Sequence, residues 1–370
     1  MLNFSSLKEK NFDLLLLIAV LILSSIGLLM VYSTSSVYSL ETYGDTAHFL
    51  KLHSIYLFAG MAMMVLLMNI NYRWLRKVVY PAYFIVFLGL VLVLVPGIGK
   101  QVGGASRWLT LGPFTFQPSE IAKFVILLYL AHSLTKKRHK LDNFFVGFLS
   151  HVLFAGVYII LIFLEPDFGG SAIILSLLVI MLFIGDVRIR YLIPLGAITA
   201  VFSLFAILSR GYRLDRITSF LNPWNDPLGS GYQAVQSFIA FGLGGVYGVG
   251  LGDSTQKLFF LPQAHTDFIF SIIGEEFGLI GVLVVVLLFL FILFRSLRIA
   301  SAAPDLFGRY IVCGFIFLIT LQAGINMAVS VGLFPTKGLT LPFISYGGTS
   351  LVSCLSAMGI ILNVSTESNK

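Results

Sequence analysis

The sequence predicts an all-α integral membrane protein of about ten transmembrane helices, with one long extracytoplasmic loop between spans 7 and 8. Three observations carry that prediction. Of the 370 residues, 58% are hydrophobic and 11% are charged, whereas a soluble domain carries about 25% charged residues. Apolar stretches near the roughly 20 residues that a helix needs to cross a bilayer recur along the whole chain. The basic residues fall between those stretches, and mostly on one side of them.

The stretches lie near 14–33, 54–70, 78–96, 119–135, 144–164, 168–185, 191–209, 268–294, 310–333 and 341–363. The first is long and is followed by Ser33-Thr34-Ser35-Ser36, a weak cleavage site, so it reads as a retained span. The N-terminus and the even-numbered loops hold most of the 24 Lys and Arg, with Lys8, Arg73, Arg76, Lys136, Arg188, Arg295 and Arg309 among them. The odd-numbered short loops hold only Lys51, Lys100, Arg107 and Lys337. By the positive-inside rule both termini are cytoplasmic, and the loop of about 210–267 is outside. That loop is far longer than its neighbours, and its Trp, Tyr, Phe and Gly content predicts an ordered segment. With no repeat and no low-complexity stretch, residues 1–370 read as one polytopic membrane domain.

Composition also excludes some functions. The net charge of +7 is dispersed between apolar stretches and forms no stripe, which argues against a nucleic-acid partner. Cys313 and Cys354 both sit in apolar stretches with no second ligand cluster, so they point to neither a disulfide framework nor a metal.

Charges within the membrane are costly, and each is a functional candidate. Gln117-Pro118-Ser119-Glu120-Ile121-Ala122-Lys123 opens the fourth span, with Pro and Ser suited to a first turn. Glu120 and Lys123 are three apart and meet on one helix face, either as a structural ion pair or at the substrate. The loop opens on Arg210, Arg213 and Arg216, a spacing that suits an anionic group such as a phosphate, or simply a lipid headgroup. Turn residues 222–231 lead into a short amphipathic helix, Tyr232 to Phe241. The glycines of 242–252 have no βαβ context and read as tight backbone approach rather than nucleotide binding.

The loop closes on His265-Thr266-Asp267-Phe268, where Asp267 is either an N-cap or a reactive group. Glu275, two turns into the eighth span, complements the helix dipole or needs a partner. Asp167, at another outer turn, is a candidate cap. Residues 335–350, rich in Pro and Gly, predict a broken helix entrance to the last span, tolerated at membrane depth where it lines a cavity. Asn326 in the ninth span is placed to hydrogen-bond to a neighbouring helix. On these residues alone, transporter, flippase and lipid-using enzyme remain open.

The motifs then carry a resemblance. Gly104-Ala105-Ser106-Arg107-Trp108-Leu109, Pro118-Ser119-Glu120, Glu165-Pro166-Asp167 and Tyr212-Arg213-Leu214-Asp215-Arg216 are followed in order by Asp226-Pro227-Leu228-Gly229, Gly231-Tyr232-Gln233, Leu261-Pro262, His265-Thr266-Asp267-Phe268-Ile269 and Ser345-Tyr346-Gly347-Gly348. This set resembles the SEDS family (shape, elongation, division and sporulation) over nearly the whole chain. Residues 250–257 and 335–342 look more like its division-type members than its elongation-type members. One departure is Gln263, where the family commonly has Glu. It weakens any role for a carboxylate there and leaves Asp267 as the main candidate.

The resemblance implies a peptidoglycan glycosyltransferase that polymerises lipid II, working with a class B penicillin-binding protein transpeptidase and other divisome membrane proteins at the septum. An α-linked donor on pyrophosphate and a β-1,4 product imply one in-line displacement with inversion. Such a step needs a base for the acceptor hydroxyl and cations for the departing charge. Asp267 takes the first role, and Arg107, Lys123, Arg213, Arg216 and Lys337 are candidates for the second. A divalent cation is compatible with that task, but no ligand cluster demands one. Alternatives from the same residues are a lipid II flippase, an elongation-type polymerase and a divisome scaffold.

Overall fold

The computed structural model describes residues 12–102, 105–112, 114–208 and 219–368. Its helices are α1 (Leu14–Tyr43), α2 (His48–Asn69), α3 (Leu75–Leu94), α4 (Pro118–Lys136), α5 (Ser150–Leu164), α6 (Phe168–Ile184), α7 (Ile189–Leu208), α8 (Tyr232–Gly244), α9 (Ile269–Ser301), α10 (Leu306–Ser330) and α11 (Gly348–Ser368). Among the described residues, seven spans, α1, α2, Tyr72–Leu94, Phe144–Leu164, α9, α10 and Gly348–Glu367 of α11, are long and apolar enough to cross a membrane. The shorter apolar helices α6 and Ile189–Ala200 lie beside them, and α4 joins the bundle despite Glu120 and Lys123. The chain is a multi-pass membrane protein, and α8 is the amphipathic helix expected within the long loop.

α1 shows how the sequence builds a span. Asp13 caps it by accepting from the Leu16 amide at 3.0 Å. Gly44, at φ 70°, ends it in the left-handed conformation. Leu16, Val20, Leu23 and Val31 are buried, while Ile18, Ile22 and Leu29 stay exposed. In water such an apolar outer face would be a liability; in a bilayer it meets acyl chains.

Asp13 and Ser365 meet at one end of the bundle, where the Asp13 amide donates to Ser365 at 3.1 Å. That end is also tied by Arg295 on Asp13 at 2.6 Å and by Arg73 between Asp305 and Glu367. The other end carries residues 219–268 and is called the loop end below.

Three features differ from the expected layout. α1 continues ten residues past the expected 33, to Tyr43, and α9 runs to Ser301. Their polar ends pack on other elements: Ser33 reaches Glu276 at 2.6 Å, and Ser39 donates to Asp45 O. Between α3 and α4, a segment read as plain loop forms a three-stranded antiparallel sheet at the loop end: β1 (Lys100–Val102), β2 (Ala105–Leu111) and β3 (Phe114–Phe116). Lys100 pairs with Trp108 and Leu109 with Phe116. The last span begins at Gly348 rather than at 341, because residues 337–347 fold as non-helical chain.

α9 is bent at Gly278, whose φ of 63° and ψ of −160° are non-helical. The glycine-rich segment after α8 lies against this bend, backbone to backbone. Val249 and Gly250 donate to the carbonyls of Glu275 and Glu276, and Leu279 donates back to Gly245 O. A Cβ at Gly244 would collide with the Gly274 carbonyl, and one at Gly248 with the Glu276 carbonyl. The glycines therefore serve close approach, as their sequence context predicts.

Candidate functional site at the loop end

Asp267 sits at the end of a tight turn made by its own neighbours. The Gln263 carbonyl accepts from the amides of Thr266, Asp267 and Phe268 at 3.1, 3.1 and 3.3 Å. Gln263 takes φ 57° to allow this, and its side-chain carbonyl accepts from the Thr266 hydroxyl at 3.0 Å. Residue 263 thus works mainly through its backbone.

The turn is locked to the non-helical segment before α11. Tyr346 N donates to His265 O at 3.0 Å, and the Ser345 hydroxyl donates to Thr266 O at 2.5 Å. Ser345 Oγ also accepts from Leu341 N at 2.8 Å. The His265 ring packs on Phe49 and stacks on Tyr38, with centroids 4.9 and 5.7 Å apart. Burial pushes its imidazole down to about 4, so it is neutral at physiological pH.

The result is a carboxylate facing a bare stretch of backbone. A Cβ at Gly338 would lie 3.3 Å from Asp267 Oδ2. Lys337 precedes it; burial pushes its ammonium down, and the Asp167 carboxylate opposes that shift. Asp167 caps α6 by accepting from Gly170 N at 2.9 Å, as expected, and it does so within the electrostatic reach of Lys337. Arg107, on β2, donates to Glu165 O at 3.2 Å and to Pro166 O at 2.5 Å. Asp267, Lys337, Asp167 and Arg107 therefore come together through β2, the α5–α6 turn, the 263–268 turn and the 337–347 segment.

Glu120 and Lys123 form the expected ion pair at 2.6 Å, with side chains 15% and 2% exposed. Lys123 also donates to Gln322 Oε1 at 3.2 Å. Gln322 Nε2 in turn donates to the Thr340 carbonyl and hydroxyl, both at 3.1 Å. The pair is thereby connected to the 337–347 segment rather than isolated between two helices. Asn326 bonds not to a helix but to two loop carbonyls, Asp267 O at 2.8 Å and Leu339 O at 2.6 Å.

Glu275 lies elsewhere. Its Oε1 accepts from Thr255 N, Thr255 Oγ1 and Gln256 N at 2.8, 3.0 and 3.4 Å, and its Oε2 from the Ser254 hydroxyl. It anchors the long loop to α9. Arg210, Arg213 and Arg216 lie outside the described residues.

Two groups escaped the sequence reading. Gln322, four residues before Asn326, was a visible polar residue in an apolar span. Glu165 is 1% exposed, both its oxygens lack a partner among the described residues, and burial pushes its carboxyl up to about 8. Cavities of 360 and 320 Å³ lie at the opposite end, lined in part by Asp13 and Arg295 and by Arg138 and Arg309, so cavity size does not locate this site. Among the described residues no three His, Cys, Asp or Glu side chains converge as metal ligands.

The fold and this cluster define a class: a polytopic membrane protein with charged side chains gathered at one end of the bundle. Residues 13–370 match the FtsW/RodA/SpoVE family, described as cell cycle protein, and the chain belongs to that family. It is 43% identical over 360 residues to "Probable peptidoglycan glycosyltransferase FtsW" of Geobacter sp. (strain M18), covering 97% of this chain and 98% of that one. It superposes with TM-score 0.79 and 28% identity on a chain from "Structural coordination of polymerization and crosslinking by a peptidoglycan synthase complex", covering 97% and 99% of the two chains. The rod shape determining protein RodA of Thermus thermophilus gives 0.71 and 27%, covering 97% and 98%.

Proposed function

We propose that the loop end polymerises lipid II into β-1,4-linked glycan, releasing polyprenyl pyrophosphate, during septal cell-wall synthesis. The activity is that of a peptidoglycan glycosyltransferase, as the curated relatives are named. The observation that carries the site reading is the Asp267 carboxylate facing Gly338 beside Lys337. Asp267 takes the proton of the acceptor hydroxyl as that oxygen attacks the donor's anomeric carbon. The bond to pyrophosphate breaks on the opposite face, which inverts the centre. Pyrophosphate is a good leaving group, so no glycosidase-type acid is required.

Lys337, Arg107 and Lys123 steady the departing charge, joined by Arg213 and Arg216 from the outer loop. A divalent cation at the pyrophosphate would supply further neutralisation. The exposed apolar helix faces suit the polyprenyl chains. Residues 1–370 act as one membrane domain with both termini cytoplasmic, which puts the loop end at the outer surface where lipid-anchored sugars are presented. A class B penicillin-binding protein transpeptidase and other divisome proteins are the partners; the superposed structure is of a peptidoglycan synthase complex that coordinates polymerization and crosslinking.

The test is glycan formation from lipid II by purified chain plus transpeptidase partner in detergent. Micelles have no two sides, so a flippase alone gives no product there. Polymer supports the reading; its absence from folded, partner-bound protein contradicts it.

A further inference from the structure

α10 carries two buried amide side chains near its loop end, Gln322 and Asn326. Four residues apart, they stand one above the other on a single helix face. Both reach the same non-helical strand: Gln322 bonds Thr340, and Asn326 bonds Leu339. Asn326 does more. Its amide nitrogen has two hydrogens, and both are spent, one on Asp267 O at 2.8 Å and one on Leu339 O at 2.6 Å. One atom therefore sets the spacing between the turn that presents Asp267 and the strand that follows Lys337 and Gly338.

A purely structural staple would not need this group. Asn326 is 2% exposed, and its Oδ1 is buried with no hydrogen-bond partner among the described residues. A buried acceptor left unsatisfied keeps its full desolvation penalty. Apolar packing would hold α10 to its neighbours without that cost. What apolar packing cannot do is fix two carbonyls from different segments at a set distance.

We propose that Asn326 is a positioning residue for polymerisation, holding the Asp267 carboxylate in register with the Lys337–Gly338 backbone through the two backbone carbonyls it binds. Asn326 touches no reacting atom; it acts through Asp267, so the proposal rests on the reading of Asp267 as the base. Misplacement of a catalytic group by about 1 Å costs about 100-fold in rate. Loss of both bonds should act on turnover rather than on lipid II binding.

The experiment compares wild type, Asn326→Ala, Asn326→Ser and Asp267→Asn, each with the transpeptidase partner. It reads kcat and KM for lipid II, and amide hydrogen exchange across the chain. Asn326→Ala should lose about 100-fold in kcat, with KM changed by less than about threefold. Exchange should quicken at 263–268 and 337–341 but not at 274–280. Asn326→Ser, which keeps one donor, should fall between. Wild-type kcat in Asn326→Ala, or a loss accompanied by faster exchange everywhere, overturns the proposal. If Asn326→Ala does not fold, the serine variant decides: reduced kcat with local exchange supports the proposal, and wild-type kcat overturns it. Full activity in Asp267→Asn overturns the base assignment itself. An inactive Asp267→Asn beside an unaffected Asn326→Ala overturns positioning alone.

Discussion

Two buried sets of lysine and carboxylate lie in this molecule, and they differ in how completely their bonds are used. Beneath the glycine-rich loop, Lys257 spends all three donors, on Ser33 Oγ, Gly252 O and Glu276 Oε1 at 3.0, 2.6 and 2.9 Å. Glu275 beside it accepts four bonds from residues 254–256. At the start of α4, Lys123 has two partners among the described residues, Glu120 and Gln322, which there leaves one ammonium donor over. In the first set every donor of Lys257 is spent, although Glu276 Oε2 is buried without a partner among the described residues, and the set holds the loop to α1 and α9. The second is open, and its chain of bonds ends on the strand that faces Asp267. What separates the two sets is therefore the lysine: among the described residues only Lys123 keeps a donor for a ligand.

The comparison breaks or sharpens through single removals. The largest effect is expected at the first set. Lys257→Met leaves the Glu276 carboxylate buried and uncompensated, which should lower unfolding stability by about 3–5 kcal/mol. Adding Glu276→Gln should recover most of that loss, as read by thermal unfolding in detergent. Polymerisation per folded molecule should stay near wild type in both variants; a specific activity loss would erase the distinction between the sets.

Next comes the open set. Lys123→Met should reduce polymerisation by about 100-fold, the scale of losing one donor to developing charge. Exchanging the pair, Glu120→Lys with Lys123→Glu, should restore thermal stability but not rate. Restored rate would make this pair as structural as the other.

Gly27, midway along α1, comes third. A Cβ there would overlap the Phe343 carbonyl, and Phe343 already takes φ 66° in the turn before α11. Gly27→Ala should cost about 1–3 kcal/mol of stability and slow polymerisation by moving the 337–347 segment, measured by unfolding and turnover together.

The last effect is read in the pH dependence of stability, at Glu165. Its carboxyl is pushed from 4.5 up to about 8 by burial first, and then by Asp167. A raised carboxyl favours its protonated form in the folded protein. That contribution is fully present below 4.5 and is lost as pH rises towards 8. Glu165→Gln should therefore match wild type at pH 4 and gain relative thermal stability between about pH 5 and 8, with no further gain above. A stability difference independent of pH would contradict the protonated state.

Much of this was legible in the sequence for a physical reason. Spans are long apolar runs, so α3, α9 and α10 were placed to within about two turns, and α1 at its start though not at its end. The pairing of Glu120 with Lys123 follows from a three-residue spacing on one helix. The short helix after Gly231 and the structural use of the loop glycines were legible from turn residues and missing phosphate motifs. What stayed hidden depends on contacts between distant segments. Lys257 with Glu276, Gln322 with Thr340, and Asn326 with Asp267 have no local periodicity to announce them. The β1–β3 sheet was hidden because two of its strands have only three residues and glycines such as Gly99 and Gly112 flank them. The start of α11 was misplaced by seven residues because Leu341, Phe343 and Ile344 are apolar yet buried in a turn.

The central claim is that Asp267 is the base at the loop end, and polymerisation by Asp267→Asn with its partner in detergent tests it most directly. The substitution keeps size and removes the basic oxygen. Activity should fall by about 10²–10⁴-fold at an unchanged unfolding temperature. Wild-type glycan formation by the folded variant would contradict the account.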